Sequence, residues 1–127
     1  MQKDLETLAA ASHAGTIAFG DLVGRLAALG VESYLADSRA GLTRYYRPDG
    51  TTHVVPLPTH GATPADAFAP AALLEAIRGA QRGEVKYPEF VTRSLAAGTV
   101  GYIVWIAGRH VSYFGRRGEV HVERFPQ

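Results

Sequence analysis

Gly15-Thr-Ile-Ala-Phe-Gly-Asp-Leu-Val-Gly-Arg-Leu-Ala-Ala-Leu-Gly-Val-Glu-Ser-Tyr34 returns, at a constant offset of 68 positions, as Gly83-Glu-Val-Lys-Tyr-Pro-Glu-Phe-Val-Thr-Arg-Ser-Leu-Ala-Ala-Gly-Thr-Val-Gly-Tyr102. The register runs on without a gap to Pro58 and Pro126. It pairs Tyr45 with Tyr113, Gly50 with Gly118, His53 with His121 and Val54 with Val122, and it keeps chemical type at Phe19/Tyr87, Leu35/Ile103 and Leu57/Phe125. Glycines, aromatics and a histidine all agree, which composition bias does not produce. An internal repeat has to be settled before local structure is assigned, because missing it misassigns the whole architecture. The chain reads as one module written twice, over residues 1–58 and 69–126, joined by a linker at 59–68.

Each copy opens with apolar residues at helical spacing: Leu5, Leu8 and Ala9 with the small Ser12, then Leu73, Leu74, Ile77 and Ala80. Gly15 and Gly83 stand where a helix would end in the left-handed conformation. A second helix follows in each copy, with Leu22, Val23, Leu26 and Leu29 on one face, and Phe90, Val91 and Leu95 on the other copy's face. Pro88 suits a first turn, and Gly30 and Gly98 mark the stops. Three strand-like runs come next: Val31–Asp37, Leu42–Arg47 and Thr51–Leu57, then Thr99–Ala107, His110–Phe114 and Glu119–Phe125. The expected fold is α+β: a tandem helix-helix-three-strand unit with an approximate two-fold axis. Its antiparallel strands would form one sheet or two, with helices on the apolar face, in a single domain.

Arg47-Pro48-Asp49-Gly50 and Gly115-Arg116-Arg117-Gly118 fit a three-residue hairpin connection, a type I turn followed by a left-handed glycine. That turn sets Tyr45 opposite His53 and Tyr113 opposite His121. Strand alternation then assigns faces. Because Val120 and Val122 share a face with Phe114, that face is expected to be the core. His53 and His121, with Tyr45, Val55 and Leu57, are then expected on the side away from the helices. The continuous apolar run from Val100 to Ala107 reads as a strand covered on both faces, and the more polar Glu32–Ser38 as one nearer an edge.

The chain of 127 residues, 46% hydrophobic and 20% charged, has the composition of a soluble globular domain. Charge is balanced along it, with a formal net charge of +1, so nothing points to nucleic acid or to an anionic membrane. Without cysteine, disulfides and thiolate chemistry are excluded. Met1-Gln2-Lys3-Asp4 leads into an amphipathic segment, and no apolar run approaches the ~20 residues of a membrane span. The cytoplasm is the expected location.

The stretch from Gly15 to Tyr34, the Tyr45-Tyr46 pair before Pro48-Asp49-Gly50, and Gly101-Tyr-Ile-Val-Trp through Val111-Ser-Tyr-Phe-Gly115 resemble the YbcV/YdfO-type family of small bacterial and prophage proteins. The resemblance covers most of the chain. Members of that family are carried as a domain of unknown function, sometimes labelled phage envelope protein. The resemblance implies a small α+β domain and brings no catalytic or binding residue with it.

The five histidines are scattered over different segments without the spacing of a zinc site, and no phosphate-binding glycine motif is present. No metal or cofactor is expected. Ser12-His13 and Ser112 lack the setting of a catalytic serine. The leading expectation is a non-catalytic domain that binds a small molecule or a protein, through the cleft between repeats or the outer sheet face. Tyr34, Tyr45, His53, Tyr102, Tyr113 and His121 are its candidate ligand-binding residues, and a homodimer is an open expectation for the partner. The alternatives are an enzyme using His53 or His121 as general base near neutral pH, and a prophage structural component.

Overall fold

The fold is described for residues 1–126 by a computed structural model. Its helices form where the apolar spacing places them. Leu5, Leu8, Ala9 and Ser12 are the buried face of α1 (Gln2–His13), and Leu22 and Leu26 that of α2 (Phe19–Ala28). In the second copy, α3 (Pro70–Gln81) buries Leu73, Ala76, Ile77 and Gly79, and α4 (Tyr87–Ala96) buries Phe90, Val91, Ser94 and Leu95. Pro70 and Pro88 occupy first-turn positions, where no intrahelical N–H is needed. The strands are β1 (Ser33–Asp37), β2 (Leu42–Tyr46) and β3 (Thr52–Pro56), then β4 (Thr99–Trp105), β5 (His110–Gly115) and β6 (Val120–Arg124). The offset of 68 carries α1, α2 and β3 onto α3, α4 and β6 residue for residue.

All six strands join one antiparallel sheet in the order β3-β2-β1-β4-β5-β6. The two units meet at β1 and β4, where Leu35 faces its own equivalent Ile103, flanked by Ser33 opposite Trp105 and Asp37 opposite Gly101. That register is symmetric about the Leu35–Ile103 pair, so the approximate two-fold axis runs through it. Both hairpins close as the turn chemistry requires: Arg47 N–H donates to Thr51 O and Gly115 N–H to Glu119 O, at 3.1 and 2.9 Å. Tyr45 accordingly pairs with His53 and Tyr113 with His121.

The face assignment is the reverse of the expectation. Tyr34, Ala36, Tyr45, Val55, Tyr102, Val104, Val111 and Tyr113 are buried together with the helix residues, and His53 and His121 share their side of the sheet. Val120 and Val122 are each 54% exposed on the opposite, open face, with Val54 and Trp105. Three apolar residues of one hairpin pointed the other way, but β6 is an edge strand. The central strands decide which side receives the helices, because only they are flanked by neighbours on both sides.

Two further expectations are corrected for the same reason. The polar β1 is central, not near an edge, because it forms the seam between units. Strand β4 is buried without a break from Thr99 to Tyr102 but loses its cover on the open face beyond, where Ile103 is half-buried and Trp105 38% exposed.

The linker 59–68 is tied to the second unit. Ala65 N–H donates to Leu95 O at 2.9 Å, Arg116 Nη2 to Pro64 O at 2.7 Å, and Arg117 pairs with Asp66 at 3.2 Å. The basic hairpin tip thus holds the chain that joins the copies.

Candidate functional site

On the helix side of the sheet, phenol rings form a row across the two units. Tyr34 and Tyr45 pack with centroids 5.4 Å apart at 38°, and their equivalents Tyr102 and Tyr113 at 5.4 Å and 44°. The repeat thus reproduces ring geometry as well as backbone. Phe90 of α4 meets Tyr102 and Tyr113 edge-on, and Tyr87 joins its hydroxyl to that of Tyr102 at 2.7 Å.

A cavity of about 470 Å³ opens over this row. Its floor is Tyr34, Tyr102, Val104, Val111, Tyr113 and Glu123 from the sheet. Its walls are the α1–α2 connection with Phe19, the α3 residues Ile77, Ala80 and Gln81, the start of α4 with Tyr87 and Phe90, and Phe125. Both repeats contribute, so the cavity is the cleft between them. Phe19 and Phe125 meet edge-on at 5.5 Å where the first unit touches the end of the second.

The cavity is off the two-fold axis because the copies differ at a few positions. In the first unit α1 lies on β3, where Val55 is buried, and Gln2 reaches across to His53 Nδ1 at 3.2 Å and to Val54 O at 2.8 Å. In the second unit the position of Val55 is Glu123, and the gap between α3 and β6 is spanned by polar groups. Arg78 bonds Glu123 at 2.5 Å, Gln81 lies 3.4 Å from the same oxygen, and His121 Nε2 stands 3.5 Å from the other. The last distance is long for a hydrogen bond, so the buried Nε2 has no close partner among the described residues. An ionised carboxylate keeps helix and strand apart where a valine lets them close.

Electrostatically the interior is neutral. Burial pushes the ionisation of Tyr34, Tyr102 and Tyr113 up, and that of Tyr87 up to about 12, so all four remain protonated donors at neutral pH. Burial alone would raise Glu123, but its bonds to Arg78 and Gln81, the Arg78 charge and His121 bring it below the ordinary 4.5. Glu123 is thus ionised and paired.

Of the six expected site residues, the structure brings Tyr34, Tyr102 and Tyr113 into the cavity wall. Tyr45 lies one strand further out, against a much smaller hollow under α1. His53 is held by Gln2, and His121 stands behind Tyr113 and Glu123; neither lines the larger cavity. Sequence reasoning missed Phe19, Gln81, Tyr87, Phe90, Glu123 and Phe125. The signal for Glu123 was present in the repeat, as a mismatch: valine in one copy and glutamate in the other. Among the described residues no three His, Asp or Glu side chains gather as metal ligands would, and no helix is long and apolar enough to cross a membrane. No protein-family model matches the chain, and no curated protein matches it.

Proposed function

We propose that the protein is a non-catalytic binding domain whose inter-repeat cavity takes a small, largely apolar molecule. The carrying observation is the cavity itself: about 470 Å³, walled by aromatic and aliphatic side chains with a few inward polar groups. Binding sites for small molecules have this size and this composition. Its position supports the reading, since the cleft lies at the junction of two packed units, over the row of phenol rings. The general-base alternative finds less support, because the imidazoles of His53 and His121 lie outside the cavity lining. The resemblance to the YbcV/YdfO-type family is compatible with this proposal and supplies no residue role of its own.

Ala80 provides the test. It is an exposed α3 residue that lines the cavity without belonging to the core, so Ala80→Trp fills the space while leaving the packing of Leu73, Ala76 and Ile77 intact. In a thermal-shift screen of small aromatic compounds, the unmodified protein is expected to give saturable stabilisation by a subset. Ala80→Trp is expected to lose that response and to melt within a few degrees of the parent. Equal responses from both proteins, or none from either across the screen, refute the proposal.

A further inference from the structure

Two phenols in the cavity have bonding capacity to spare. Tyr34 is 5% exposed and Tyr113 7%, yet among the described residues neither hydroxyl has a hydrogen-bond partner. Both residues line the cavity, and neither oxygen is among the fully enclosed side-chain atoms that lack a partner. A third O–H is close by: in the Tyr87–Tyr102 pair one proton is used between the two oxygens, which leaves one for a further acceptor. A buried donor without an acceptor is destabilising, and water or a ligand oxygen removes that cost.

The rest of the lining narrows the ligand. Glu123 is compensated by Arg78, so it offers no unpaired negative charge to a cation. Lys86 and Arg124 also border the cavity, but both are exposed and solvated, so an anion inside would find no buried counter-charge. Burial of an unpaired charge is strongly unfavourable. The walls, meanwhile, present ring edges and faces at Phe90, Tyr87 and Phe19, which suit offset or edge-on contact with another ring.

We propose that the cavity selects an uncharged aromatic molecule bearing a hydrogen-bond-accepting oxygen, a ketone or similar group, which the Tyr34 and Tyr113 hydroxyls recognise. This rests on the binding role proposed above and adds the chemistry of the ligand. Tyrosine suits such recognition because its O–H stays protonated and donating at neutral pH, while its ring completes the apolar wall.

A shape-matched pair of probes separates oxygen recognition from simple filling of the cavity. In 2-acetylnaphthalene a carbonyl replaces the methylene of 2-ethylnaphthalene, with nearly the same outline. 2-Naphthoate and 2-naphthyltrimethylammonium add the two charges. Titration calorimetry on the full chain is expected to rank the acetyl compound about tenfold above the ethyl compound, and both charged probes below it. Tyr34→Phe and Tyr113→Phe remove only unbonded oxygens, so melting should be unchanged or slightly raised. Each should pull the acetyl-to-ethyl ratio towards one while leaving the ethyl affinity as it was. Equal affinities of acetyl and ethyl compounds in the unmodified protein, lost together in Ala80→Trp, overturn the oxygen-recognition proposal and leave the cavity's binding role standing. A charged probe that binds best overturns the choice of an uncharged ligand. Failure of all four to bind, or binding unaffected by Ala80→Trp, overturns both.

Discussion

Gly30 and Gly98 are equivalent positions with the same backbone, at φ values of +85° and +84°, so the repeat supplies its own control for a glycine substitution. Replacing either by alanine puts a side chain into the left-handed region, which costs about 1–2 kcal/mol. The surroundings then separate them. At Gly30 the new methyl would meet the Arg47 guanidinium at 3.2 Å, the far end of a flexible side chain that can move into solvent. At Gly98 it would run into the Ala67 carbonyl and come within 2.9 Å of Phe68 Cα, both backbone. The linker would have to lift away, straining the Ala65 N–H bond to Leu95 O and the Ala69 N–H bond to Ala97 O, each worth about 1 kcal/mol net. Gly30→Ala is therefore expected to cost about 1–2 kcal/mol, and Gly98→Ala about 3–4 kcal/mol. At roughly 4 °C per kcal/mol for a chain of this size, the second variant melts some 8 °C below the first. Urea unfolding followed by circular dichroism, analysed at a common m value, measures both. Equal costs at the two positions would refute the reasoning, because they would mean that the linker does not press on Gly98.

Three shorter predictions test the sheet and its edge. Val122→Thr, on the open face, should change stability by no more than about 0.5 kcal/mol, whereas Val111→Thr, buried under the helices, should cost about 2 kcal/mol in the same urea assay; the reverse order would return Val122 to the core. Thr99 is 1% exposed with no partner for its hydroxyl among the described residues, so Thr99→Val should raise the unfolding free energy by about 1 kcal/mol, and a loss of that size would reveal a bond the geometry lacks. Glu123 is held below its ordinary 4.5, so its contribution is present above that value and fades as pH falls through its lower value in the folded state. The stability gap between the parent and Glu123→Gln should therefore shrink between neutral pH and about pH 3; a gap independent of pH would show that the Arg78 pair contributes nothing.

The repeat made the element order legible almost to the residue, because a constant offset transfers every assignment from one copy to the other. Hairpin register was legible as well, since Pro48-Asp49-Gly50 and Arg116-Arg117-Gly118 admit few turn geometries. Face and strand order were not. Val120, Val122 and Phe114 look like a core face in isolation, and only the placement of β6 at the edge and of β1 and β4 at the seam reveals that the helices lie on the other side. The candidate site was half legible for a related reason. Matching positions such as Tyr34 and Tyr102 identified the floor, but matched residues are those both copies need for the common architecture. The cavity owes its opening to Glu123 with Arg78 and Gln81, where the second copy departs from Val55, Ala10 and His13 of the first. Similarity between the halves marked the scaffold, and their differences marked the cavity.

Because the axis passes through Leu35 and Ile103, the seam is a ladder of main-chain bonds that asks little of side-chain identity on either flank. Either half can therefore change at its outer edge without unsettling the join. Here the first half has kept its margin shut with Val55, while its twin has exchanged closure for an ionic strut. Duplication in this molecule thus allows a division of labour, with one flank anchoring the sheet and the other free to specialise.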